Sequence, residues 1–221
     1  SMVDEAQKND AHYRIGQSLL SGDVSEKEDD ALFEIADHLN LGKEHLKSEA
    51  EKHELIEINV KAGQKAKNAA AFSAAYEYYL NSLALLENTT PEQIIQNPDI
   101  KTQKLLWDRN YDQALFIYME TAITAFSNGD YNVMEKLLSI ILANARNVYD
   151  TVKVYELKVQ AANAQNNASG AIEAALIILE KLGVQFPPNP DDSDFSTAAQ
   201  ETDRLLSGRD IDALYRLEEM S

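Results

Sequence analysis

The chain has no cysteine. This excludes disulfide frameworks, thiol nucleophiles and cysteine-based zinc sites, and it fits a reducing compartment. Cations are scarce as well: 20 Lys+Arg stand against 37 Asp+Glu, for a formal net charge of −17. A surface this acidic repels phosphate backbones and anionic headgroups, so neither nucleic acid nor a membrane surface is an expected partner. No apolar run approaches the roughly 20 residues that a membrane span needs, so membrane insertion is not expected either. The chain does not open with a charged-then-apolar leader, which sets the expectation of a cytoplasmic protein. Its Ser1-Met2 start reads as a cloning remnant ahead of an internal fragment of something longer.

What is present is helical punctuation. The 221 residues are 44% hydrophobic, ordinary for a globular chain, and hold only 5 prolines and 8 glycines. Apolar residues recur with a 3.6-residue period and almost never alternate. The pattern predicts a first helix over 5–20 ending at Gly22. Ser25-Glu26-Lys27-Glu28 then reads as a capping box before Leu32, Ile35, Ala36 and Leu39, and Asn40 and Gly42 stop that second helix. Further helices are expected over 48–68, 70–86, 108–127, 131–145, 149–165 and 168–183, with an irregular stretch at 87–104 holding one short helix from Pro91. Pro187, Pro188 and Pro190 mark a connector. A short helix over 196–206 closed by Gly208, then a last turn capped by Asp210, complete the chain.

Helix pairs joined by tight turns invite a search for an internal repeat. The tetratricopeptide repeat, a helix pair of about 34 residues, wants a small residue at position 8, a turn at 15–17, and small or aromatic residues at 20, 24 and 27. One frame sets Gly63 at position 8, with Phe72 at 17, Ala75 at 20, Tyr79 at 24 and Ser82 at 27. A second puts Ala122 at 8 and Gly129-Asp130-Tyr131 at 15–17, and a third puts Val159 at 8, Ala171 at 20 and Ala175 at 24. Successive frames lie 59 and 37 residues apart, the first offset containing the irregular stretch. Such hairpins bury their apolar faces only by stacking, so the expected fold is all-α: a right-handed α-solenoid of antiparallel pairs. The expected divisions are N-terminal helices over 1–46, repeats over 47–185 with an irregular insert near 87–107, and a connector with short helices over 186–221.

Chemistry-bearing constellations are weak. Ser127-Asn128-Gly129-Asp130 has the oxygen atoms of a calcium loop, but only Asp130, Asn132 and Glu135 follow Asn128, short of the alternating ligands over about 12 residues that such a loop requires. Gly129 suits the left-handed end of one helix and Asp130 the N-cap of the next. His53-Glu54-Leu55 echoes a histidine-kinase phosphoacceptor, but Ile56-Glu57-Ile58 follows where Arg-Thr-Pro belongs. His12, His38 and His45 have no second ligand at helical spacing, no phosphate-cradling GxxxxGK[ST] is present, and no nucleophile sits beside a base. No catalytic residue, metal or cofactor is expected. Tyr76, Tyr78 and Tyr79 read as hairpin packing, because base stacking also wants a basic groove.

A solenoid usually works through the concave face lined by the first helix of each pair, at positions 2, 5, 9, 12 and 13. In the first frame these are Glu57, Val60, Gln64, Lys67 and Asn68; in the third they are Lys153, Glu156, Gln160, Asn163 and Ala164. Repeats that clamp a terminal carboxylate carry Lys at 5 and Asn at 9, which neither Val60/Gln64 nor Glu156/Gln160 supplies. The middle frame is apolar there: Phe116, Met119, Ile123 and Phe126. Either another segment such as 87–104 covers them, the favoured expectation, or they form a patch for a partner helix.

Several stretches read together carry a family resemblance: HYRIGQSLL, LFEIADHLNLG, INVKAGQKAKNAAAFSAAYEYYLNSLALL, WDRNYDQALFIYMETAITAFSNGDYNVMEKLLSIILANA and DTVKVYELKVQAANAQNNASGAIEAALIILEKLGVQFP. Over roughly 12–187 the chain resembles the tetratricopeptide-like helical-repeat region of large multidomain bacterial signalling proteins of the AAA/STAND-type ATPase class. There a serine/threonine-kinase-like domain and the ATPase precede the repeats, and a GAF sensor and a histidine kinase often follow. The resemblance implies a cytoplasmic, non-catalytic module whose partners are proteins: other domains of the same chain, or a signalling partner. The family's nucleotide-binding and phosphoacceptor residues lie outside the fragment. The alternative is a stand-alone scaffold that recruits a peptide or partner helix.

Overall fold

A computed structural model describes residues 2–21, 28–96, 107–187 and 190–207. Packing divides the chain into two compact units, Ser1–Ala174 and Ala175–Ser221. Among the described residues every regular element is helical and none is a strand.

The first unit opens with α1 (Met2–Ser21) and α2 (Glu28–Leu41), which pack on each other, followed by a single 3₁₀ turn (Lys43–His45). The expected capping box at 25–28 involves residues outside the described set. Asn40 was expected to stop α2, yet the helix runs through it. Its amide is occupied instead by a two-way bond with Asn59, at 2.7 and 2.8 Å, so it ties helices rather than capping one.

Ser48 caps α3 (Glu49–Asn68), accepting from the Glu51 amide. Then come α4 (Phe72–Leu86), the short α5 (Pro91–Gln96), α6 (Tyr111–Ser127), α7 (Tyr131–Asn144), α8 (Val148–Ala164) and α9 (Ala168–Lys181), within which the unit boundary falls. The helix expected from 108 is interrupted: 107–109 are helical, Asn110 is not, and α6 starts afresh at Tyr111.

Among the described residues, five helix ends share one construction, a left-handed residue followed by an amide that bonds five residues back. Asn88 and Gly183 hold two of them, and the other three lie in turns inside the hairpins read from the sequence. Ala70, Gly129 and Asn166 each have positive φ, at 57°, 81° and 56°. In each turn the next residue's amide reaches back five residues: Ala71 to the Ala66 carbonyl (2.9 Å), Asp130 to Ala125 (2.9 Å), Asn167 to Ala162 (2.8 Å). These left-handed closures satisfy the carbonyls left open at a helix end. All three residues fall at position 15 of the frames read from the sequence. Asp130 then accepts from the Val133 amide at 3.1 Å and Asn167 from Gly170 at 3.0 Å, so these two turns also cap the following helix, whereas Ala71 at the equivalent place has no side-chain cap.

Why the hairpins stack is visible in α3 and α4. Leu55, Ile58, Ala62, Tyr78 and Tyr79 enter one apolar cluster with Tyr13, Ile35 and Leu39, while Ile56, Tyr76, Leu80 and Leu83 enter another with residues of α6, α7 and α8. One hairpin thus has two apolar faces and is covered on both. Gly63 allows a close approach within it, since a Cβ there would lie 2.9 Å from Cζ of Tyr79. Tyr79 is fully buried.

In the second unit, α10 (Asp192–Leu206) begins four residues earlier than the expected Ser196. The cause is a reciprocal cap: Asp191 accepts from the Ser193 and Asp194 amides, and Asp194 accepts from the Asp191 amide. Gly208 and Asp210, expected to end that helix and cap a last turn, lie outside the described residues. Phe195, Leu205 and Leu206 are exposed, and no α10 residue is buried.

Candidate functional site

The sequence nominates the exposed sides of α3, α6 and α8. On α3, Glu57, Gln64 and Asn68 are exposed, whereas Val60 is half-buried against the larger core cluster. Gln113 of α6 donates to the Glu57 carboxylate at 3.1 Å, tying α6 to α3 on this side. Lys67 is not a free surface cation: its ammonium pairs with Glu120 of α6, and the Glu120 side chain is only 14% exposed. That carboxylate also lies beside the buried Tyr79 phenol, whose pKa is pushed up by burial first and by the Glu120 charge second. One acidic group therefore joins α3, α4 and α6.

The apolar stripe on α6 is graded rather than uniformly covered. Met119 is core, Ile123 and Phe126 are half-buried, and Phe116 is 38% exposed. Phe126 meets Tyr131 edge-on, with ring centroids 6.0 Å apart. Residues 97–104, part of the segment expected to cover the stripe, lie outside the described residues, and α5 packs against α4. On α8, Lys153, Glu156, Gln160, Asn163 and Ala164 are all exposed. The α8 residues facing inward are Thr151, Val154, Leu157 and Ala161.

Tyrosines form a second set of contacts that sequence spacing did not show. Tyr13 donates to Glu51 (3.1 Å), Tyr78 to Asp37 (2.8 Å), Tyr118 to Glu87 (2.6 Å) and Tyr111 to Asp150. Three of these bonds cross between helices, and the Tyr118 bond reaches Glu87, the residue that follows the end of α4. Burial pushes the Tyr118 phenol up, and the Glu87 charge adds to it. Burial also holds the Glu87 carboxyl above its ordinary range, partly offset by the Tyr118 hydrogen bond. Tyr76, buried with its hydroxyl unpaired, is raised to about 12 by burial and then by Asp130.

Two further features bear on chemistry. His53 is exposed on α3 with no completed phosphoacceptor motif around it. His12 and His38, 26 residues apart, meet across α1 and α2 with their Nδ1 atoms 2.8 Å from each other. Among the described residues no three metal-ligating side chains converge, and no helix is long and apolar enough to cross a membrane.

No family model matches the chain, and no solved structure matches it. The chain is similar to the Hybrid signal transduction histidine kinase G of Dictyostelium discoideum, at 24% identity over 183 residues, 83% of this chain. It spans about 5% of the length of that relative. The likeness fits a region of a signalling protein.

Proposed function

We propose that the chain is a non-catalytic helical-repeat module, a right-handed tetratricopeptide-like solenoid, that mediates protein–protein contact and intramolecular regulation inside a large signal-transducing ATPase or kinase. One observation carries the reading. Left-handed turns closed by a five-back hydrogen bond stand at position 15 of all three frames read from the sequence, at Ala70, Gly129 and Asn166. Repetition of one supersecondary unit is how solenoids build a long surface for partners. The similarity to a histidine kinase region supports the signalling context. In this reading the working surface is the α3, α6 and α8 side: Glu57, Gln64 and Asn68, then Phe116 with the half-buried Ile123 and Phe126, then Lys153, Glu156, Gln160 and Asn163. Met119 and Lys67 support it from beneath through core packing and the Glu120 pair.

Site-specific photo-crosslinking tests it. A benzophenone amino acid is placed at Gln64, Phe116 or Gln160, and at the exposed back-face positions Glu77 and Ser139, in the full-length polypeptide expressed in its own cells. Crosslinks to protein segments concentrated at the first three positions are expected. Equal yields on both faces, or none, would refute the assignment.

A further inference from the structure

We infer that His12 and His38 form a two-imidazole binding site for a borderline divalent cation of the zinc, nickel or copper class, clamping α1 to α2. The contact is specific in its atoms. Both rings present Nδ1, the atoms are 2.8 Å apart, and the ring centroids lie 5.0 Å apart with the planes tilted by 34°. Two nitrogens so close cannot both carry a proton: one donates and the other offers its lone pair. The same convergence of lone pairs suits a metal. With metal–nitrogen bonds of about 2.0–2.1 Å, a tetrahedral site needs the nitrogens roughly 3.3 Å apart, an opening of about half an ångström.

The surroundings allow this adjustment. His12 and His38 are half-buried rather than sealed, so water can complete the coordination sphere. Their backbones are held firmly on either side. Tyr13, next to His12, is buried and bonds to Glu51, and Asp37, next to His38, accepts from Tyr78. At Gly42, one turn beyond His38, a Cβ would lie 2.5 Å from the Tyr13 amide, so the two chains are in close contact there. A net charge of −17 raises the local concentration of cations. Imidazole ligands select the borderline metals over magnesium and calcium, which prefer oxygen.

The test is equilibrium dialysis of the whole chain against Zn²⁺ or Ni²⁺ at neutral pH, with Mg²⁺ as the comparison ion. Thermal unfolding and ¹⁵N spectra of the histidine rings are recorded on the same samples. The expected result is one Zn²⁺ or Ni²⁺ per chain, no Mg²⁺, a melting temperature raised by roughly 3 °C or more at saturating metal, and a coordination shift at Nδ1 of both rings. Either His12→Gln or His38→Gln removes all of these, while His53→Gln, in an exposed histidine elsewhere, removes none. Glutamine keeps a hydrogen-bonding group, and circular dichroism establishes that each variant is folded. Unchanged stoichiometry in the folded variants overturns the assignment. So does a wild-type spectrum in which Nδ1 keeps its proton at saturating metal, because the pair is then a hydrogen bond and nothing more.

Discussion

Replacing Gly63 with alanine sets two effects of similar size against each other, and their sign tests the hairpin packing. In an exposed helix interior the change should stabilise by about 1 kcal/mol, since glycine is that much poorer than alanine as a helix former. Gly63, however, is buried in α3, and its new methyl would lie 2.9 Å from Cζ and 3.0 Å from Cε1 and Cε2 of Tyr79. That ring is fully buried and cannot move toward solvent. Forcing an extra methyl into a packed interior costs about 1–3 kcal/mol. The net expectation is destabilisation by roughly 1 kcal/mol, or about 2–4 °C in Tm for a unit of this size. Trp107, the single tryptophan, is 2% exposed and reports the first unit's unfolding by fluorescence in a urea titration. In a Tyr79→Leu background the clash is gone, and Gly63→Ala should become neutral or stabilising, a coupling of about 1 kcal/mol or more. If Gly63→Ala stabilises the wild-type chain by about 1 kcal/mol, the close approach assigned to Gly63 and Tyr79 is wrong.

The shared turn gives a pair of opposite predictions. Ala70 is held at positive φ, so Ala70→Gly should stabilise by up to about 1 kcal/mol, whereas Gly129→Val should destabilise by about 1 kcal/mol or more although nothing lies within 4 Å of its Cβ; a denaturation midpoint that falls in Ala70→Gly, or holds in Gly129→Val, would count against the left-handed turn at that position. Glu87 has a folded-state pKa above its ordinary value, so the folded chain binds that proton more tightly than the unfolded one, and its contribution to stability is present at low pH and lost as pH rises through the folded value. Glu87→Gln, which keeps an acceptor for Tyr118, should remove that part of the pH slope just above the ordinary carboxylate range; an identical stability–pH profile would refute it. Phe116→Asp should leave the chain folded with a loss below about 1.5 kcal/mol, because the ring is already 38% exposed, and should abolish crosslinks from Gln64; a chain that unfolds outright would place Phe116 in the core.

Local features of this molecule were legible in the sequence because local chemistry causes them. Apolar periodicity located α3, α4, α6, α7, α8 and α9 to within a few residues, and Gly129-Asp130 marked a turn because one residue suits a left-handed end and the other an N-cap. The start of α10 was missed because its box is Asp191-x-x-Asp194, an all-acidic version of the usual Ser/Thr with Glu. Contacts between helices were not legible. His12 and His38 are 26 residues apart, and Tyr118 and Glu87 are 31 apart. No spacing rule links such positions until the hairpins are stacked. The candidate surface shows the same limit. Position within α6 could nominate Phe116 and Met119 alike, but only the neighbouring helices decide that Met119 is buried and Phe116 is not.

The tyrosine contacts follow from the shortage with which the sequence opens. With 37 acidic residues and 20 Lys+Arg, cations cannot satisfy every carboxylate that stacking draws toward a helix interface. Lys67–Glu120 and Lys158–Glu135 are ion pairs that cross between helices. The Gln113 amide holds Glu57, and at four further places the donor is a neutral phenol: Tyr13, Tyr78, Tyr111 and Tyr118 each hold a carboxylate of another segment. A phenol brings a large apolar ring to the interface and a hydroxyl to its edge, so one residue fills the seam and satisfies the acid at its rim. It also avoids the cost of taking a second charge out of water, which an ion pair in the same place would incur. Because the donor is neutral, these seams should depend weakly on salt, whereas the Lys67 and Lys158 pairs should weaken as ionic strength rises. An acidic chain built this way can keep its hairpins stacked without giving up its negative surface.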